Sequence, residues 1–307
     1  MKTESRLEKV FAAGHIAVTS EVGPPRGCDV DIVEKKANMI KDHVDGINIT
    51  DNQTAMVRMS SIAGAVIVKN MGLDPIIQMV ARDRNRLAMQ ADIIGAYSLG
   101  INTMLCLSGD HPKFGDHPTA KAVYDVDSVN MIKMVTDMRD TGKFQGGADI
   151  KMPPKMFVGA AANPFADPFE LRVARLAKKA KAGVDFIQTQ CIFNMDKFET
   201  WMKGVCDRGL DKEVKILAGI TPMKSVGMAR YMKNKVPGMD VPDEVIKRLE
   251  GVSKEQQPEE GIKMAIEQME RMKEIPGVAG FHIMAIEWEE RVAEIVEGAG
   301  LYPRPQV

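Results

Sequence analysis

Eight short apolar runs, each followed by a longer stretch of helical period, constrain this chain more than any other feature. The first run is His15 to Pro25, and the others end at Asp51, Asp83, Asp110, Pro164, Phe193, Pro222 and Glu287. Their near-continuous apolar character suits strands buried on both faces, as parallel strands are. Eight such units within 307 residues predict a single-domain α/β fold, a closed (β/α)8 TIM barrel. The spacing predicts helices over 30–43, 54–70 and 127–140, with Gly100 as a helix stop. The region 223–272 is expected to add several helices broken by Pro237, Pro242 and Pro258. The competing architecture, a doubly wound open sheet, would cradle a nucleotide on a glycine-rich loop after its first strand. Here that loop is SEVGPPRG, which lacks GxGxxG and loses two amide donors to proline.

Composition removes several function classes. Lys and Arg total 41 against 42 Asp and Glu. A sequence-independent nucleic-acid binder needs a basic excess, so none is expected. Cys28, Cys106, Cys191 and Cys206 are dispersed and form no CxxC pair. That argues against a disulfide scaffold or a metal cradle within this chain, and for a reducing compartment, the cytoplasm. The charged N-terminus lacks the apolar core of a signal peptide, and no apolar run is long enough for a membrane span. The 23 methionines read as core filling. Neither GxSxG nor a P-loop is present, which leaves hydrolase and kinase readings without support.

Barrel enzymes work at the C-terminal ends of their strands. There this chain carries Glu21, Thr50, Asp51, Arg82, Asp83, Asp110, Asn163, Gln190, Thr221 and Glu287. Asp51, Asp83 and Asn163 would serve equally well as helix caps. Glu21 sits inside an apolar run, where desolvation would raise its pKa and suit it to donate a proton. A bland alternative pairs it with Arg26. Gly109 would let a ligand approach Asp110 closely. Gln190 both donates and accepts, and so can read a heterocycle's edge, unless it is a satisfied interior amide. Arg172, Arg175 and Lys179 form a stripe suited to a phosphate or simply to solvent. Arg82, Arg84 and Arg86 form a second candidate anion site. His111, Asp116 and His117 lie in a proline-stiffened loop and are not expected to hold a metal.

Taken in order, these motifs resemble the methylenetetrahydrofolate reductase family. SEVGPPRG resembles its first-strand motif and LSGD its fourth. ANPFADP and AGVDFIQTQCIF, which contains Thr189-Gln190, resemble the fifth and sixth units, LAGITPM the seventh, and GFHIMAIE the eighth. The resemblance implies a barrel with a flavin at its mouth and reduction of 5,10-methylenetetrahydrofolate to the 5-methyl form. It implies Glu21 as the general acid and Asp110 as a second catalytic carboxylate near flavin and pterin. Gln190, Asp110 and Gln78 would bind substrate. Thr50, Asp51, Gln78, Arg82, Gly109, Asp110, Asn163, Arg175, Lys179 and Gln190 would hold the flavin. It also implies an oligomer.

The chain departs from the family pattern at Gln78, where many members have His. It departs again at Glu287-Trp288-Glu289, where an Asn-Arg pair is usual, and in the loop DHPKFGDHP. These departures leave FAD expected but the shorter FMN open. They also suggest a separate iron–sulfur/zinc protein as electron donor. Two other readings compete. One is a non-redox pterin methyltransferase or lyase barrel, and the other a barrel subunit that docks with an electron-transfer protein.

Overall fold

The computed structural model describes residues Met1 to Val307. Eight parallel strands close on themselves in sequence order, as the alternation predicts. They are β1 Ala17–Val22, β2 Gly46–Ile49, β3 Pro75–Val80, β4 Thr103–Leu107, β5 Phe157–Ala162, β6 Phe186–Cys191, β7 Lys215–Ile220 and β8 Val278–Ile283. Closure is made by β1 against β8, with Ala17 opposite Gly280 and Ser20 opposite Ile283.

Twelve helices surround the sheet. They are α1 Arg6–Ala12, α2 Val30–Ile40, α3 Ser61–Asn70, α4 Arg86–Ser98, α5 Ser128–Asp140 and α6 Leu171–Lys181. Then follow α7 Met195–Asp207, α8 Leu210–Glu213, α9 Val226–Lys235, α10 Asp243–Glu250, α11 Gln257–Lys273 and α12 Val292–Gly298. Helices α9 to α11 pack on a cluster of their own that includes Met223, Met232, Val245, Leu249 and Met264. Pro258 opens α11 rather than interrupting a helix, since its missing N–H is no loss in a first turn.

Three local expectations are corrected. Helix α3 starts at Ser61, not Thr54, because Thr54 and Ala55 take left-handed backbone angles that end a short 3-10 turn. Helix α2 stops at Ile40, short of His43. Asp51, Asp83 and Asn163 cap no helix: α3 and α4 start further on, where Ser60 and Asn85 accept the first-turn amides, and α6 has no side-chain cap.

Helix α1 was not anticipated, although SRLE carries a capping signature. Ser5 accepts from the Glu8 amide, and Glu8 reaches back to the amides of Lys2 and Thr3. Its Leu7, Val10 and Phe11 plug the N-terminal end of the barrel. There they meet an inward layer of Ala17, Ile76, Leu105, Phe157, Phe186 and Leu217. Phe157 and Phe186 stack with ring centroids 5.3 Å apart, and a Cβ on Gly159 would lie 2.2 Å from the Phe186 ring. The lower barrel is therefore a filled core, and access is left to the opposite mouth.

Candidate active site

Two residues further along β1, β2, β3, β6 and β8 the inward faces turn polar, at Thr19, Asn48, Gln78, Gln188 and His282. Asn48 Nδ2 donates to Gln188 Oε1 at 2.8 Å, and Gln188 Nε2 returns a bond to Asn48 Oδ1 at 3.0 Å. Gln188 Nε2 also donates to Thr19 Oγ1 at 3.1 Å, which lies 3.0 Å from His282 Nδ1. Burial pushes His282 down to about 3, so it stands neutral beneath the mouth. Its Nε2 lies 3.9 Å from Glu21 Oε2. This satisfied amide–hydroxyl–imidazole chain forms the floor of the site.

Above the floor opens a cavity of about 400 Å3, bounded by Glu21, Gln78, Ser108, Asn163, Arg175, Lys179, Gln188, Gln190, His282 and Met284, among others. The Glu21 side chain is only 14% exposed. Its pKa is raised to about 7, first by burial and then by the nearby Glu289 carboxylate, with Lys36 opposing. Arg26 is not its partner; Arg26 pairs with Asp116. The amides of Gln78 and Gln190 face the same space. At the far end Lys179 donates to the Ala161 carbonyl, and burial lowers its pKa to about 8. Arg172 is turned back onto the carbonyls of Asp167 and Pro168, while Arg175 faces the cavity without a carboxylate partner.

The structure thus brings together Glu21, Gln78, Asn163, Arg175, Lys179 and Gln190. It holds the other predicted residues apart from the cavity lining. The Asp51 carboxylate accepts from the Val80 amide and from Arg84. Arg82 is clamped by Asp83 at 2.7 Å and by the carbonyls of Asn52 and Asp110. Arg84 binds Asp51 and Asp92, and Arg86 binds Asp125, so every guanidinium of that segment already faces a carboxylate. Gly109 takes a φ of +85° that favours glycine, and Asp110 beyond it is exposed on the rim. Asn163 accepts from the amides of Phe165 and Ala166 and donates to the Gly238 carbonyl, which shapes its own loop. Asp116 is held by Arg26 and His117, and no three His, Cys, Asp or Glu side chains converge as a metal cluster.

Sequence reasoning missed Thr19, Asn48, Gln188 and His282. The signal was the period of two: Gln188 precedes Gln190 on one face, and His282 precedes Met284.

A polar mouth of this kind fits a flavin on one further observation. The Thr50 hydroxyl is buried at the end of β2 with no hydrogen-bond partner in the protein. Thr50 lies outside the cavity lining, whereas the Gln78 amide, the Gln190 Nε2 group (its Oε1 accepts from the Cys191 amide) and the unpaired Arg175 guanidinium line it, and these are the donors a polar ring edge and a phosphate ask for.

Residues 6–300 match the family described as methylenetetrahydrofolate reductase. The chain belongs to that family. Methylenetetrahydrofolate reductase 2 of Schizosaccharomyces pombe is 26% identical over 223 residues, covering 67% of this chain and 32% of its own. A probable methylenetetrahydrofolate reductase (NADPH) of Caenorhabditis elegans is 21% identical over 257 residues, covering 80% and 35%. The chain therefore spans about a third of the length of these curated relatives. Among solved structures, a Clostridium thermocellum protein described as binding two copies of 5-methyl-5,6,7,8-tetrahydrofolic acid superposes with a TM-score of 0.65. It is 14% identical, and the match covers 96% of this chain and 99% of that one. An oxaloacetate acetylhydrolase structure matches at a TM-score of 0.50 and 9% identity over all of this chain and 89% of that one. Both show the barrel alone. No helix is long and apolar enough to cross a membrane.

Proposed function

We propose that this barrel binds a flavin and reduces 5,10-methylenetetrahydrofolate to the 5-methyl form, with Glu21 as general acid. The observation that carries the reading is a nearly buried carboxylic acid, held to about 7, at the edge of a polar cavity in a family member. A bound flavin would supply the two-electron chemistry that side chains lack. The chain's own residues do the rest. Glu21 gives a proton to a ring nitrogen of the folate, so that the five-membered ring opens to an electrophilic iminium. Gln78 and Gln190 orient the ring edges, and Thr50 offers its unpartnered hydroxyl. Arg175 and Lys179 neutralise the phosphate-bearing tail. Asp110 opposes developing positive charge from the rim. Asp51, Arg82 and Gly109 lie outside the cavity lining and would act on the flavin only by shaping the loops around it, whereas Asn163 lines the cavity itself.

The proposal has FAD as the cofactor, with FMN as the alternative outcome of mass analysis. It has a separate iron–sulfur/zinc protein as electron donor. In support, the four cysteines do not converge, and Cys106 and Cys191 are buried thiols pushed up to about 12. One barrel domain, an oligomer and a cytoplasmic location complete the reading.

The test is direct. Purified protein should be yellow, release a flavin on denaturation, and be reoxidised by methylenetetrahydrofolate after chemical reduction. A colourless protein that takes up no flavin would leave the methyltransferase or lyase reading in its place. Rapid NADH oxidation without a partner would remove the protein donor.

A further inference from the structure

We infer that Lys36 and Glu289 are positioning residues, a buried ion pair that holds the proton on Glu21. The inference rests on the reading of Glu21 as the acid, and it names what keeps that acid charged with its proton.

Glu21 is the last residue but one of β1, beside the end of β8, so the chain leaving β8 passes it. That segment is Glu287-Trp288-Glu289, one of the places where the sequence departs from the family motif. Lys36 reaches in from α2 and forks between two carboxylates: its Nζ lies 2.9 Å from Glu289 Oε1 and 2.9 Å from Glu287 Oε2. The two ends of the fork differ. The Glu289 side chain is 8% exposed, whereas that of Glu287 is 66% exposed.

The segment is fixed in place rather than draped. Lys224 Nζ donates to the carbonyls of Ile286 and Glu287 at 2.7 and 3.0 Å. Trp288 has Lys224 and Arg291 over its ring at 5.3 and 5.1 Å. Glu287 itself adopts a φ of 54°, a region that a glutamate rarely enters.

A buried ion pair is a poor way to gain stability, since desolvation offsets most of the attraction. Its placement has a different consequence. The pair is neutral as a whole, but Glu289 acts on Glu21 more strongly than Lys36 does. The titratable groups beside Glu21 carry no charge at neutral pH, His282 being a neutral imidazole and Cys191 a protonated thiol, and the cations Arg175 and Lys179 line the far end of the same cavity. The outer carboxylate, Glu287, is balanced by Lys36, Arg58 and Lys224. Glu289 is therefore the negative group that makes ionisation of Glu21 unfavourable, and Lys36, which binds that carboxylate at 2.9 Å, fixes its place and sets how far its effect is offset.

The experiment titrates Glu21 directly. The infrared band of its protonated carboxyl is the one that Glu21→Gln removes, and it can be followed against pH without flavin or folate. Glu289→Gln should move the midpoint down by about one pH unit, because a like charge has gone and Lys36 remains. Lys36→Met should move it up. If that variant does not fold, Lys36→Met/Glu289→Gln replaces the pair with a neutral one, and its midpoint should lie between those of the parent and Glu289→Gln. In folate reduction, Glu289→Gln should fall about tenfold below the parent at pH 8 but only about twofold below it at pH 6, with the profile shifted rather than lowered. An unmoved infrared midpoint in Glu289→Gln, or activity lowered equally at every pH, overturns the inference. A midpoint that moves in a protein without folate activity would uphold the pair and refute the proposed reaction instead.

Discussion

The β1–β2 and β5–β6 units stand on opposite sides of the barrel and are founded on the same device. Asp45 precedes β2 and accepts the Val18 amide of β1 at 2.8 Å, with Arg304 bound to the same carboxylate at 2.6 Å. Asp185 precedes β6 and accepts the Val158 amide of β5 at 2.8 Å, with Arg139 bound at 2.6 Å. Three residues on, Asn48 and Gln188 meet in the middle of the barrel. Above that level the likeness ends. Glu21 on β1 corresponds to Ala161 on β5, and Thr50 after β2 corresponds to Gln190 on β6. One side thus brings an acid and the other leaves room and an amide. Rigidity is provided twice by one solution, whereas chemistry needs two unlike faces across the cavity.

The largest expected effect lies where the halves differ. Glu21→Gln should lower folate reduction roughly 10²–10⁴-fold while flavin remains bound. A variant that keeps its rate would leave the two faces functionally alike. Where the halves agree, Asp45→Asn should lose about 3–5 kcal/mol, because it leaves buried Arg304 without a carboxylate, and Asp185→Asn should lose somewhat less, because Arg139 keeps Asp140. Denaturant midpoints measure this, and a large disparity between them would break the likeness.

Stability against pH sharpens the comparison further. Glu21 is ordinarily near 4.5 and is held here to about 7. Between those values the unfolded chain releases its proton while the folded one keeps it. Folded stability therefore falls as pH rises through that window, by on the order of 3 kcal/mol in full. Glu21→Gln should raise the melting temperature at pH 8 relative to the parent, with no such gain at pH 4. On the β5–β6 side, Arg175→Ala should weaken flavin retention by about ten- to a hundredfold, read as flavin absorbance per protein. Smallest of all, Thr50→Val should stabilise the flavin-free protein by about 1 kcal/mol, because a buried unpartnered hydroxyl has gone. It should also loosen the flavin only a few-fold.

The barrel was legible because parallel strands buried on both faces leave unbroken apolar runs, and because the helices between them keep their period. Glu21 was legible for the related reason that a carboxylate inside such a run has no ordinary explanation. Other features depend on where separate segments meet, which spacing does not encode. Arg82, Arg84 and Arg86 looked like an anion site until each was seen against an aspartate, two of them, Asp51 and Asp125, far along the chain. His282 lacked any neighbouring motif, because its partners Thr19 and Glu21 lie some 260 residues away. Helix α1 was hidden by its charge, although its three core residues fill the base of the barrel.

The pairing of β1 with β8 has one more consequence. The acid is contributed near the start of the chain, while His282 and Glu289, which lie beside it, come from near its end. Any form of the protein in which β8 has not yet docked lacks His282 and Glu289 beside Glu21 and buries that carboxyl less completely. The raised pKa of Glu21 therefore depends in part on ring closure, which brings the two ends of the chain to one place.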